Sequence, residues 1–340
     1  MPLPRGRELC YVSTRVLKER HDTAHEGKGN SMRIRFLFVA MALCVFTPIR
    51  MAAQVPVIRE GTTAKVAKDV YLIPDGRINL VPNVGIIVGQ RGILVVDTGM
   101  GPENAQRVLN EVRKLSPEKI RYLTVTHFHP EHGMGAQAFP TETVIIYPKA
   151  QRDELQEKGP AYIQMFSGFS PEIAALLKDV KIVIPDVVYE HEADLDLGDV
   201  PVQLFHFGAA HTRGDSFVFL PKQRVLFTGD VVVNRFFPIM PDADANGNNW
   251  IRVLDDLEKL RPALIIPGHG APGDASLIGS MREYLVGLRT RVESFQHTGE
   301  SLEKIEATLI PEIRAKYKDW DNPEWIKNAI ENFYSDKTHK

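Results

Sequence analysis

The stretch "LTVTHFHPEHGMG", residues 123–135, sets three histidines and a carboxylate within six positions: His127, His129, Glu131 and His132. Imidazoles and carboxylates at this density are suited to holding a divalent cation, because both present lone pairs and neither needs redox chemistry to do so. The apolar run before them, "RYLTVT", reads as a strand, so the cluster stands just past a strand's C-terminal end.

Working outward, four further candidate ligands occupy similar positions. Asp97 ends "ILVVDTG", His211 lies in "GAAHTRGD", Asp230 ends "RVLFTGD" and His269 lies in "LIIPGHG". Strand-to-loop junctions are where a rigid scaffold can present side chains to one site. Taken singly, Asp97, Asp230 and His269 each read equally well as turn residues, and the H-x-H-x-E-H cluster alone as a structural metal site. His21, His25, His191, His206, His297 and His339 read as ordinary surface or core histidines.

The intervening sequence alternates in character. "KVAKDVYLIPDG" and "INLVPNVGIIVGQRGILVVDTG" are β-rich, with a hairpin turn at Gly89-Gln90-Arg91-Gly92. "PENAQRVLNEVRKL" reads as a helix that starts at Pro102. Residues 149–178 are helical in character, with breaks expected at Gly159-Pro160 and at "SGFSP". The pattern then returns to β through "PVQLFHFG" and "SFVFLPKQRVLFTGD", followed by a helix at "NWIRVLDDLEKL", a strand at "ALIIPGHG" and helices to about Tyr334. Strands giving way to helices twice imply two β layers covered by helices on the outside.

In this order, the pieces resemble the metallo-beta-lactamase superfamily, whose pattern is an Asp, then H-x-H-x-D-H, then His, Asp and His. The resemblance runs from about Val70 to Gly270, and "AHTRGDSFVFLPKQRVLFTGD" is similar to a family segment over its full length. The fold implied is α/β, an αββα sandwich of two mixed β-sheets flanked by helices, with a helical C-terminal tail from about residue 274. The resemblance further implies two zinc ions, with iron or manganese as alternatives. His127, His129 and His211 would hold the first ion; Glu131, His132 and His269 the second; and Asp230 would bridge them. Adjacent cations lower the pKa of a shared water and supply a hydroxide nucleophile. Asp97 would orient a ligand histidine from outside the coordination sphere. Glu131 replaces the family's Asp and is one methylene longer. It either ligates the second metal from a loop set slightly back, or swings past it as a hydrogen-bond acceptor or general base.

The implied activity is hydrolysis of an ester, thioester, lactone or amide-like bond in a small molecule. A bridging Asp is typical of glyoxalase II-like, lactonase-like and nuclease-like members, whereas class B β-lactamases carry Cys or Ser there. β-Lactam turnover is therefore expected to be weak. Oxygen-reducing relatives carry Glu where His129 stands. The helices after Gly270 resemble those of quinoprotein-associated periplasmic hydrolases. The alternative is a non-hydrolytic metal-binding component of a periplasmic redox or transport system. Tyr162, Met165, Phe166 and Phe169, with Phe236, Phe237, Met240 and Trp250, read either as a pocket wall or as packing of the helices around the site.

Charge and composition bound the rest. Of the 340 residues, 44% are hydrophobic and 25% charged, enough for a substantial core. Residues 1–50 carry nine basic and four acidic side chains, leaving 32 basic and 39 acidic in the remainder. An acidic body is a poor polyanion binder, so a nucleic-acid substrate is not expected. "MRIRFLFVAMALCVF", residues 32–46, has a signal peptide's basic start and short apolar core, and "MAAQ" offers cleavage near Ala53. The expected organisation is an N-terminal extension over 1–31, a signal peptide over 32–53 and a catalytic domain over 54–340. The product would be periplasmic or secreted, with no stable membrane insertion after cleavage. Both cysteines, Cys10 and Cys44, precede the cleavage point, so the mature chain would contain no disulfide or thiolate.

Overall fold

The computed structural model describes residues 54–241 and 243–335. The extension and the signal segment expected from sequence lie outside the described residues. Within those described, no helix is long and apolar enough to cross a membrane.

The chain opens with four strands: β1 (Ala64–Ala67), β2 (Val70–Ile73), β3 (Val84–Gly89) and β4 (Gly92–Val96). They pair antiparallel in sequence order, and Gly89 faces Gly92 across the hairpin turn read from sequence. Helix α1 (Gly101–Leu115) crosses to β5 (Ile120–Thr124), and the short α2 (Pro130–Gly133) precedes β6 (Val144–Pro148). Helices α3 (Lys149–Ser167) and α4 (Pro171–Leu177) lead to β7 (Val187–Tyr189). Strands β4 to β7 are parallel, completing a seven-stranded mixed sheet in sequence order.

The second sheet has five strands: β8 (Glu192–Asp196), β9 (Pro201–Phe205), β10 (Phe217–Leu220), β11 (Val225–Gly229) and β12 (Leu264–Pro267), the last reached through α5 (Gly247–Lys259). β8 to β11 are antiparallel, and β12 joins parallel to β11. Helices α6 (Ser276–His297), α7 (Leu302–Lys316) and α8 (Ile326–Ser335) follow.

Strand alternation explains the layering. Successive strand residues point to opposite faces, so a strand buried on both faces reads as a continuous apolar run. In β4, Leu94 and Val96 enter the layer between the sheets, where they meet Val218, Leu220 and Phe227, while Ile93 and Val95 pack outward beneath α1, α3 and α4. In β10, Phe217 and Phe219 face outward to the cluster built with α5 to α8. The result is the αββα sandwich. At the inter-sheet centre, a Cβ on Gly85 would lie 2.4 Å from the Phe227 ring, so glycine is what lets that ring sit between the layers. Removing the fully buried ring would cost about 3–5 kcal/mol.

One expectation from sequence is corrected. Helix α3 runs through Gly159-Pro160 without a break and ends only near Gly168. Pro160 forgoes a backbone hydrogen bond at a cost of about 3 kcal/mol. Leu155 on one side of it and Tyr162 and Phe166 on the other all sink into the same core, so burial of one continuous face outweighs the local penalty.

Candidate metal centre

Adjacent parallel pairs, β4 with β5 and β11 with β12, end at the same edge of the sandwich. Asp97 follows β4, the His127 cluster follows β5, Asp230 follows β11 and His269 follows β12. His211 arrives on the loop between β9 and β10. The two sheets are tied together there: Ser216 N donates to Thr126 O (2.7 Å) and Asn83 N to Gly268 O (2.9 Å).

The side chains form two groups. Ligand atoms of His127, His129 and His211 lie within 4.8 Å of one another, as do those of Glu131, His132, Asp230 and His269. In the first, His127 Nε2 is 3.1 Å and His211 Nε2 3.2 Å from His129 Nδ1. Two nitrogens bound to one tetrahedral zinc at the usual bond length stand about 3.3 Å apart, so this spacing fits a shared cation. Burial, with the other histidines adding to it, holds His127 and His129 well below the ordinary imidazole pKa. Both are neutral near pH 7, as a metal ligand must be.

The local sequence places these atoms. His129 precedes Pro130 and is extended (φ −61°, ψ 148°), which a following proline favours. Pro130 then starts the turn of α2, which turns Glu131 and His132 toward the second group. The His211 ring places Nδ1 2.9 Å from Ile239 O, and His269 places Nδ1 2.9 Å from Val81 O. Each Nδ1–H donates to its carbonyl, which leaves Nε2 as the lone-pair donor. His132 Nδ1 likewise donates to Asp97 Oδ2 (2.9 Å). Asp97 also accepts from Thr126 N (2.7 Å) and Thr126 Oγ1 (3.0 Å), and it sits at φ 68°, a left-handed conformation uncommon for a side-chain-bearing residue.

Asp230 lies between the groups. Its Oδ1 is 3.5 Å from His132 Nε2 and 3.7 Å from His269 Nε2, while Oδ2 is 3.9 Å from His211 Nε2. Burial opposes its charge, but His269, His132 and His211 hold its pKa below the usual carboxylate range. A Cβ on residue 268 would fall 1.9 Å from Asp230 Oδ1, so Gly268 makes room for the carboxylate. Burial raises the Glu131 pKa, with Asp230 adding to the effect. His132 is buried too, yet Asp230, Asp97 and Glu131 lift its pKa to about 9. Among the described residues, Glu131 Oε2, His132 Nε2 and Asp230 Oδ1 have no hydrogen-bond partner. Buried polar atoms are nearly always paired. Three polar atoms without a hydrogen bond, converging in one group, fit a divalent cation as their common partner, one that would displace any proton from His132 Nε2.

All eight sequence candidates therefore meet at one sheet edge. The glutamate's extra reach is accommodated, since its carboxylate stands with His132, Asp230 and His269. Other contributors were not singled out from sequence. Asp215 accepts from Ala210 N and from Thr212 N and Oγ1, and Glu154 from Gly214 N, which together shape the His211 loop. Burial pushes Asp215 up to about 8, against the bonds it accepts from Thr212 and Ala210. Asp75 accepts from Gly270 N, and Asn83 donates to Pro267 O and Gly270 O, fixing the His269 loop. The motif "HTRGD" held the signal for Asp215, whereas Asn83 and Asp75 carry none, because their partners lie almost 200 positions away. Of the pocket-wall candidates, Tyr162, Met165, Phe166, Phe169, Phe236 and Phe237 line a cavity over the site. Met240 and Trp250 are core residues, the indole N–H of Trp250 donating to Val231 O.

The sequence model of the Metallo-beta-lactamase superfamily matches residues 78–269. A linear primary-alkylsulfatase from Pseudomonas sp. is 25% identical over 220 residues, 55% of this chain and 41% of that protein. A metallo-beta-lactamase type 2 from Bacillus sp. is 24% identical over 202 residues, covering 58% of this chain and 70% of that one. Among solved structures, the inverting sec-alkylsulfatase Pisa1 from Pseudomonas sp. superposes with a TM-score of 0.64 at 17% identity, over 80% of this chain and 49% of that one. The chain thus spans less than half the length of both alkylsulfatases. The matched segment is more than half of the chain and runs through every ligand position from Asp97 to His269, and the chain belongs to the metallo-beta-lactamase superfamily.

Proposed function

We propose that the protein is a binuclear zinc-dependent hydrolase of small molecules carrying an ester, thioester, lactone or amide-like bond. The observation that carries this reading is Asp230, whose two carboxylate oxygens face different ligand groups. His127, His129 and His211 would hold one ion, Glu131, His132 and His269 the other, with Asp230 between them. Two adjacent divalent ions supply a nucleophile at neutral pH and polarise the scissile bond when bound. Asp97 locks the His132 tautomer, which keeps Nε2 free to ligate. Glu131 adds a carboxylate at the point where the nucleophile must be oriented. The sulfate-ester and β-lactam substrates named for the relatives are included among the candidates for this chain.

The test is metal analysis combined with a substrate panel: a thioester, a lactone, an alkyl sulfate, a carboxylic ester and a chromogenic β-lactam. The expected outcome is zinc-dependent turnover of at least one ester-like member that disappears in His129→Ala, with the β-lactam the slowest. Bound zinc without turnover on any member would contradict the hydrolase reading and favour a metal-binding role. We further propose export after cleavage near Ala53. Edman sequencing of exported protein should begin near Gln54, and an intact Met1 terminus would contradict it.

A further inference from the structure

A cavity of about 360 Å³ opens onto the ligand groups, with His129, Glu131, Asp230 and His269 at its floor. One side is Tyr162, Met165 and Phe166 of α3, with Phe169 just beyond. The facing side is Phe236, Pro238 and Ile239 from the loop after β11. The cavity is closed by Asn322, Trp325 and Asn328, which stand around the junction of α7 and α8. These last three residues lie outside the segment matched by the family, 78–269.

The closing segment is fastened to the site. Asp321 forms a β-bridge with Phe236. Phe237 N donates to Asp321 O (3.0 Å) and Asp321 N to Arg235 O (2.9 Å). Arg77 pairs with the Asp321 carboxylate and lies over the Phe236 ring at 5.2 Å. The next residue, Asn322, is left-handed (φ 60°, ψ 51°), a conformation asparagine tolerates better than most residues, and it turns the chain into the short segment that bears Trp325.

The chemistry of the walls limits what can occupy the space. Met165 and Phe169 stand 46% and 56% exposed at its edge, a large apolar exposure that calls for an apolar partner. Among the described residues, no lysine or arginine lines the cavity; its charged members are Glu131, Asp230 and Glu324. Arg314 and Lys318 line a neighbouring basin that shares Phe236 and Asn322. We infer that the C-terminal segment around Trp325 is a specificity-determining wall, and that the substrates carry, away from the scissile bond, an apolar and uncharged arm of medium alkyl or single-ring size. This rests on the hydrolase reading for the bond that breaks, but not for the arm that binds. A carboxylate at the arm's end is disfavoured by Glu324 and by desolvation without a cationic partner.

The experiment uses the zinc-loaded full chain with p-nitrophenyl octanoate, p-nitrophenyl acetate and the mono-p-nitrophenyl ester of the eight-carbon diacid. The octanoate should exceed the diacid monoester by at least about tenfold in kcat/KM. In Trp325→Ala, the octanoate-to-acetate ratio of kcat/KM should fall by at least about tenfold through KM, and Trp325→Phe should restore much of it. Phe169→Ala, at an exposed position that does not threaten folding, should lower the same ratio. Calorimetric binding of N-methyloctanamide, a neutral probe, reads the arm site without turnover and should weaken in both alanine variants. A diacid monoester equal or superior to the octanoate would overturn the inference and point to Arg314 and Lys318. So would an octanoate-to-acetate ratio unchanged in Trp325→Ala and Phe169→Ala. If no ester is hydrolysed but N-methyloctanamide binds in a Trp325-dependent manner, the wall stands and the hydrolase reading falls.

Discussion

His127, His129 and His211 bring three buried imidazoles together, whereas Glu131, His132, Asp230 and His269 combine two carboxylates with two imidazoles, and His269 keeps 14% of its side chain exposed. In the first group, burial keeps His127 and His129 neutral before metal arrives. The His129 nitrogen already stands from those of His127 and His211 at the spacing a shared tetrahedral cation requires, so little reorganisation of these pairs is needed. The second group already carries charge, and its geometry is held by neighbours: Asp97 on His132, the Val81 carbonyl on His269 and the space left by Gly268 for Asp230. The contrast implies a division of labour. On the proposed reading, the histidine group would fix an ion, and the mixed group, which supplies Glu131, Asp230 and His269 to the cavity, would tune the chemistry through its carboxylates.

The largest expected effect breaks the first group outright. His129→Ala removes the nitrogen that stands close to both His127 and His211, and should take zinc at that group and hydrolysis below detection; measurable turnover with full zinc would collapse the contrast. Next is the residue the groups share. Asp230→Asn keeps the shape but removes the charge between two cations, so zinc affinity should fall at both groups, by more than the roughly 10–100-fold typical of outer hydrogen-bond partners. Gly268→Ala, which drives a methyl into Asp230 Oδ1, should reproduce that loss in zinc titrations of protein whose circular dichroism is unchanged. Loss at one group alone would show that Asp230 is not shared.

A smaller effect isolates the second group's carboxylate. Glu131→Gln should reduce turnover by about 10²–10⁴-fold, the range of acid–base and orienting contributions, while Glu131→Asp should retain binding of two metals. Wild-type rates in Glu131→Gln with both metals bound would remove Glu131 from the chemistry. Smallest is Asp97→Asn, which keeps a hydrogen-bond acceptor for His132 but removes its negative charge. Activity and zinc affinity at the second group should fall by about 10–100-fold, with the histidine group untouched. An equal loss at both groups would mean that Asp97 acts through Thr126 and the shared loop.

What the sequence revealed follows the same contrast between near and far. His127, His129, Glu131 and His132 crowd one short stretch, and Asp97, Asp230 and His269 each end an apolar strand, so their chemistry and placement are local and could be read directly. The hairpin at Gly89–Gly92 and the two-sheet layering were legible for the same reason: strand alternation is a short-range signal. The continuity of α3 through Pro160 was not, because the burial that overrides the proline comes from a core assembled over the whole domain. Nor was the Trp325 wall. Asp321 finds Phe236 and Arg77 across 85 and 244 positions, and no local pattern marks a residue whose role depends on pairing at that distance. The pocket-or-packing ambiguity of the aromatics was resolved only by placement, with Phe169 exposed at the cavity and Trp250 sealed in the core.

If the two groups hold two cations with Asp230 between them, the metal stoichiometry of the chain must show it. Elemental analysis with zinc titration of the wild-type chain, His129→Ala and His269→Ala should give two zinc ions per chain in the wild type. His129→Ala should lose the ion of the histidine group, and His269→Ala should weaken mainly the other. A wild type that saturates at one ion, or a His129→Ala chain that still binds two, would contradict the account.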